Sequence, residues 1–220
     1  MAIKYQGCIF DLDGVIVDTA RYHFQAWKRT ANRLGIPFSE QDNEHLKGVS
    51  RAKSLDWILR KGEQTLDADT HARLLVEKND HYLTFIERID HREILPGVAA
   101  FLDRLRKLDC RIALGSSSKN ARVILERIGL IDAFEAIVDG TKVTRSKPDP
   151  QTFLMGASAL NLSPESCVVF EDAVSGVLAA KAAGMYTIGI GSPEILQAAD
   201  RVIPSLEGLT PEDLLTQTLV

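Results

Sequence analysis

Cysteine is scarce and unpaired in this chain. Cys8, Cys110 and Cys167 are an odd set of three with no C-x-x-C spacing, which excludes a disulfide framework, a zinc ribbon and a dithiol redox motif. Each lies in or beside a short apolar run, and with no local base or electropositive setting it is expected as a core thiol, not a nucleophile. No apolar run approaches the roughly 18 residues that span a bilayer, and the start MAIKYQGCIF lacks the basic flank and cleavage site of a secretory signal. Internal repeats, low-complexity tracts and charge blocks are missing too. With 30 acidic against 26 basic residues, a net charge of −4, there is no general attraction for nucleic acid or an anionic membrane. A cytoplasmic monomer without nucleic-acid or membrane partners is expected, and any anionic ligand must be caught by local groups.

What is present is an ordinary globular composition, 220 residues at 45% hydrophobic and 25% charged, enough for a core and a small appendage. Short apolar runs at Gly7 to Phe10, Arg111 to Leu114, Ala136 to Val138, Cys167 to Phe170 and Thr187 to Ile190 read as five buried strands separated by helical segments. That alternation predicts an α/β fold, a Rossmann-like three-layer α/β/α core around a parallel sheet. Gly129 and Gly184 follow amphipathic stretches as helix stops, and Pro150 stands where a helix begins. From about Asp18 to Ile89 no strand is legible. Phe24, Trp27, Ala31 and Leu34 recur at helical spacing, Ser39 and Asp42 form a capping-box pattern, a third helix runs from Ser50 to Gly62, and Leu75, Tyr82, Phe85, Ile86 and Ile89 mark a fourth. The expected organisation is a core of residues 1–17 and 92–220 with an inserted all-helical cap of residues 18–91, joined by two short crossings that suit a hinged lid.

In an open parallel sheet ligands bind beyond the carboxyl ends of the strands. After the strands come Asp11 and Asp13, then Ser116 to Asn120, then Glu171-Asp172, with Lys147-Pro148 standing before a helix. Four carboxylates on one rim repel unless a cation joins them, and an all-oxygen donor set suits hydrated Mg²⁺. Asp11 and Asp13 flank Leu12 on extended backbone, so one can attack an electrophile while the other handles a proton; an Asx turn or helix cap is the alternative reading of that pair. Thr19 and His23 are four apart on one helix face near the catalytic strand end. Arg51, near a helix start, can hold a phosphate with its fork, or be a solvated surface charge. The other histidines, His45, His71, His81 and His91, read as surface residues, and Lys147-Pro148 is expected to be cis.

Taken together, Asp11-Leu12-Asp13-Gly14, the strand ending in Ser116, Lys147-Pro148 and Glu171-Asp172 resemble the haloacid dehalogenase superfamily of phosphotransferases across essentially the whole chain. The resemblance implies that Asp11 is the nucleophile, Asp13 the general acid/base, and Ser116 and Lys147 the ligands of the transferring phosphoryl group. It implies Mg²⁺ on Asp11, Asp172 and the main-chain carbonyl of Asp13, with Glu171 in support. The segments from Asp18 to Trp27, from Leu46 to Arg51 and from Lys78 to Asp80, with Ser118-Lys119-Asn120, are similar to a sugar phosphomutase branch of that superfamily. In that branch Thr19 lies at the hinge, His23 couples closure to the acid/base, and Arg51, Ser118, Lys119 and Asn120 grip the phosphate not being transferred. Lys47, Gly48 and Lys78 shape the sugar side; Trp27 and Ser117 are counted with the substrate residues, Trp27 also as cap packing. Val17, Ser117 and Asp149 depart from the family pattern. The implied reaction is a Mg²⁺-dependent intramolecular phosphoryl transfer between β-D-glucose 1-phosphate and 6-phosphate, with β-D-glucose 1,6-bisphosphate as activating intermediate. The alternatives are a sugar-phosphate or phosphoglycolate-type phosphatase of the same superfamily and a non-catalytic sugar-phosphate sensor.

Overall fold

The structure, a computed structural model, describes residues 4–215; the ends of the expected core span, 1–3 and 216–220, lie outside the described residues. Among the described residues six strands form one sheet: β1 (Gly7–Phe10), β2 (Arg111–Gly115), β3 (Ala136–Val138), β4 (Cys167–Glu171), β5 (Tyr186–Ile190) and β6 (Arg201–Ile203). Every pairing is parallel and the order is β3-β2-β1-β4-β5-β6. Strand β6 is one more than the sequence predicts. At three residues, opening on an exposed Arg201, it carries too short an apolar signature, and its pairing with β5 is what makes it a strand.

Side chains alternate between two faces, as the strand period of two demands. Cys8, Phe10, Ile112, Leu114, Val168 and Phe170 enter one buried cluster, while Ile9, Ala113, Cys167 and Val169 enter another. The first face is covered by α5 (Val98–Lys107) and α6 (Ala121–Ile128), the second by α7 (Gln151–Ala159) and α8 (Val174–Ala182). Burying both faces is why these strands read as continuous apolar runs. All three cysteines are buried and free, with Cys8 Sγ 3.6 Å from Cys110 Sγ.

Between β1 and β2 the chain forms α1 (Ala20–Arg33), α2 (Glu40–Glu44), α3 (Arg51–Lys61) and α4 (Ala68–Ile86). Ser39 caps α2: its hydroxyl accepts from Asp42 N, and the Asp42 carboxylate accepts from Ser39 N at 2.7 Å. Ser50 and Asp67 cap α3 and α4 in the same manner. Trp27, Ala31, Leu55, Ile58 and Leu74 fill the insert's own cluster, whereas Ala26, Tyr82 and Ile86 join the main core. Ile89, counted in the α4 pattern, lies beyond that helix. The two crossings run side by side, with Val17 bridging to both Asp13 and Ile94 and Asp18 N donating to Glu93 O at 3.2 Å. Val17 is fully buried there, so an apolar residue suits the position. His45 and His91 are exposed as expected. His71 and His81 are half-buried instead, His71 against Asp56 and His81 against Phe85. The Lys147-Pro148 bond is cis.

Candidate active site

Asp11 leaves the end of the central strand β1, where its N–H donates to Phe170 O at 3.0 Å and its side chain is almost wholly buried. Lys147 lies beneath it with no exposed surface. Its ammonium donates to Asp11 Oδ1 at 2.5 Å, Glu171 Oε1 at 2.6 Å and Gly115 O at 3.0 Å, so all three of its protons are used. Burial opposes the charge, but the adjoining Asp11 and Glu171 carboxylates outweigh it and hold the ammonium above its ordinary range. The other oxygen of Glu171 accepts from Ala173 N at 2.8 Å. A side chain at Gly176, one turn into α8, would collide with this carboxylate. Lys147 and Glu171 thus stand behind Asp11, off the cavity surface.

Asp172 lies against the turn that follows Asp11, since a Cβ on Gly14 would strike its carboxylate. Burial pushes Asp172 well above the usual carboxylate range, and the negative charges of Glu171 and Asp11 push further; Lys47, with Nζ at 4.0 Å, offsets part. A carboxylate so crowded lacks positive charge. Among the described residues no three His, Cys, Asp or Glu side chains are grouped as metal ligands. The donor set of two carboxylates, Asp11 and Asp172, with the Asp13 carbonyl nonetheless fits Mg²⁺, which keeps several waters and needs few protein oxygens. Both Glu171 oxygens are already engaged, which suits a supporting role.

Asp13 Oδ1 accepts from the hydroxyl of Thr19, itself fully buried. Burial pushes Asp13 up to about 6, with Asp11 adding to the shift and Thr19 opposing it. His23 Nε2 stands 3.9 Å from Asp13 Oδ1, its Nδ1 is 2.9 Å from Lys78 Nζ, and its ring lies 4.2 Å from that of Tyr82. Burial, helped by Lys78 and Arg51, holds His23 well below its ordinary range. The neutral ring accepts from Lys78 at Nδ1 and turns Nε2–H toward Asp13. Lys78 itself is buried between Trp27 and Tyr82, 4.7 Å from each ring centroid. Burial first, and then Arg51, lower it to about 7.

These groups open on a cavity of about 1090 Å³ between insert and sheet. Asp11, Asp13 and Asp172 form one wall. Arg51, from the start of α3, and Ser118, Lys119 and Asn120, from the turn that enters α6, line the same cavity. Ser116 Oγ accepts from Ser118 N at 3.0 Å, and Ser118 Oγ accepts from Asn120 N at 3.2 Å, which folds the serine run into a compact turn. Trp27, Lys47, Gly48 and Ser117 also line the cavity; Thr19, Lys147 and Glu171 do not. Insert and core meet through Ser117 Oγ, which donates to Gly48 O at 2.8 Å, and Ser175 Oγ, which donates to Lys47 O at 3.2 Å. Sequence reasoning missed Asn79 and Tyr82 as individuals. Asn79 touches Arg51 and Asn120, partners 28 and 41 positions away, and no spacing rule links them; Tyr82 reads as one more apolar position of α4.

The family model described as haloacid dehalogenase-like hydrolase matches residues 5–184. Over 206 residues, 93% of this chain and 91% of the relative, the sequence is 44% identical to the β-phosphoglucomutase of Bacillus subtilis (strain 168). A fructose-1-phosphate phosphatase of Escherichia coli (strain K12) is 33% identical over 85% of this chain and 97% of its own. Among solved structures, β-phosphoglucomutase from Clostridium difficile superposes with a TM-score of 0.92 at 40% identity, covering 96% of this chain and 95% of that one.

Proposed function

The chain belongs to the haloacid dehalogenase-like hydrolase family, and from that premise we propose that it interconverts β-D-glucose 1-phosphate and β-D-glucose 6-phosphate through β-D-glucose 1,6-bisphosphate. One observation carries the choice of a mutase: a single cavity is lined by Asp11 and Ser116 at the strand ends and also by Arg51 with the Ser118-Lys119-Asn120 turn, a second set of groups that a lone transferring phosphate would not need. The similarity to two β-phosphoglucomutases supports it. In this reading residues 1–17 and 92–220 are the core and 18–91 the cap, and the enzyme is a cytoplasmic monomer. No helix among the described residues is long and apolar enough to cross a membrane.

Asp11 carries the transferring group. Lys147 occupies Oδ1, which leaves the other oxygen to attack phosphorus in line and become the aspartyl phosphate. Phospho-Asp11 then gives its phosphoryl group to the free sugar hydroxyl while Asp13 takes that hydroxyl's proton. After the bisphosphate turns over, Asp11 accepts the other phosphoryl group and Asp13 returns the proton to the departing oxygen. Thr19 and His23 orient Asp13, Ser116 holds the transferring group while Lys147 fixes Asp11 from behind, and Arg51, Ser118, Lys119 and Asn120 hold the distal phosphate. Lys47, Gly48, Lys78, Trp27 and Ser117 surround the sugar. Mg²⁺, held by Asp11, Asp172 and the Asp13 carbonyl with Glu171 behind, supplies neutralisation of charge on the phosphoryl oxygens. A closed cap excludes water that would hydrolyse the aspartyl phosphate.

The test is one tube containing protein, Mg²⁺, β-glucose 1-phosphate and a trace of the bisphosphate, in which glucose 6-phosphate and inorganic phosphate are followed together. Glucose 6-phosphate without matching phosphate release, from the β anomer alone, is expected. Phosphate release without isomerised sugar overturns the mutase in favour of a phosphatase of the kind found among the relatives.

A further inference from the structure

Asn79 lies on α4, one residue beyond Lys78, and its Oδ1 accepts two hydrogen bonds. One comes from Arg51 NH2 at 2.7 Å, within the cap; the other comes from Asn120 Nδ2 at 3.0 Å, across the interface with the core. Both partners are obligate donors at those atoms, so the amide can be oriented in only one way. Both lone pairs of that oxygen are filled, and the two groups bound to it come from opposite sides of the closing cleft.

From this bridge we propose that Asn79 is a positioning residue for the distal phosphate, which reads cap closure directly into the geometry of the phosphate grip. The inference rests on the mutase reading for the identity of that phosphate. Arg51 keeps Nε, NH1 and one NH2 proton for the ligand, and Asn120 keeps its second amide proton. Asn79 thus fixes the spacing between the two donors without consuming their capacity. Two other cap-to-core bonds beside the cavity differ in kind. Ser117 and Ser175 donate to the main-chain carbonyls of Gly48 and Lys47, which closes the cap without touching Arg51 or Asn120. A neutral amide is also the chemistry the position requires. It accepts from a guanidinium and an amide while placing no negative charge beside a phosphate dianion, which an aspartate of the same shape would do.

Two substitutions separate these contributions. Asn79→Ala removes both bonds; Asn79→Asp keeps the acceptor and adds a charge. Binding of β-D-glucose 1,6-bisphosphate with Mg²⁺ is measured by titration calorimetry in an Asp11→Asn background, so that turnover does not intervene. Affinity is expected to fall about tenfold for Asn79→Ala, the scale of one lost bond to a charged group. For Asn79→Asp it falls on the order of a hundredfold, from repulsion at close range. In the Asp11 enzymes, hydrolysis of acetyl phosphate, which carries no distal phosphate, is expected to change at least tenfold less than bisphosphate affinity. Unchanged bisphosphate affinity in both variants, an Asn79→Asp protein that binds as well as Asn79→Ala, or a parallel loss of acetyl phosphate turnover overturns the proposal. Failure of the parent enzyme to form glucose 6-phosphate counts against the mutase reading alone, because the calorimetric comparison does not depend on it.

Discussion

Lys78 illustrates what a single buried side chain at this site costs in stability. Its amine is buried between two aromatic faces with His23 Nδ1 as its hydrogen-bond partner at 2.9 Å, and Trp27 and Tyr82 return only part of the hydration it loses. Its pKa, lowered to about 7 by burial and by Arg51, is a statement about folding. In the unfolded chain the amine holds its proton up to about pH 10.4, so between that value and 7 the unfolded state binds more protons. Stability therefore rises with pH across this window, and the burden is largest at and below pH 7. Lys78→Met, which keeps a flexible chain against the two rings, is expected to stabilise the ligand-free protein at pH 6.5 by roughly 2–4 kcal/mol. The gain should shrink toward pH 10, as read from urea midpoints, while glucose 6-phosphate formation falls. A gain independent of pH would assign the effect to packing instead of charge. The order of Asp11, Asp13, Ser116, Lys147, Glu171 and Asp172 along the chain was legible because all but Lys147 follow or border a strand end and Lys147-Pro148 stands just ahead of a helix. The convergence of Lys78, Trp27, Tyr82 and His23 was not, because these residues come from two helices and meet only through the packing of α1 on α4.

At the scale of elements, the turn between α2 and α3 decides how the cap meets the core. Gly48 has φ +71°, and a Cβ there would come within 2.5 Å of Ser175 Oγ and 3.0 Å of Ala173 Cβ. Gly48→Ala therefore carries backbone strain of about 1 kcal/mol and a wedge between cap and α8. Its expected effect is a fall in turnover of at least tenfold with a melting temperature within a few degrees of the parent's, because the wedge opposes closure while both cores stay packed. Parent-like turnover in Gly48→Ala would show that this approach is not part of the working closed state. Strands and helices with several apolar residues in register were readable, as were the caps at Ser39 and Ser50. Strand β6 was not: unlike the equally short Ala-Ile-Val of β3, it opens on an exposed Arg201 and has only two apolar residues, and it gains its structure from pairing with β5.

For the whole molecule, a net charge of −4 and the proposed ligand with two phosphates are reconciled by cations gathered locally in one cavity. Carboxylates from the strand ends and the cations Arg51, Lys78 and Lys119 line the same cavity. Exhaustive chelation with EDTA is expected to abolish turnover, and added Mg²⁺ to restore it, with the melting temperature rising on re-addition because Asp172 and Asp11 gain a counter-charge. Full activity after chelation would remove the metal assignment. The α/β class, the five strands with unbroken apolar runs, the helical stretch after the first strand and the acidic strand ends were determined by local order alone. Apolar period and capping chemistry act over a few residues, and a parallel sheet brings its strand ends to one rim whatever the order of strands. Tertiary structure decided the edge strand, the burial of Lys147 between two carboxylates, the aromatic slot around Lys78 and the bridge from Arg51 through Asn79 to Asn120. Each of these depends on groups tens of residues apart being held within hydrogen-bond or van der Waals reach, and that distance is set by how helices and sheet pack, which no local pattern encodes.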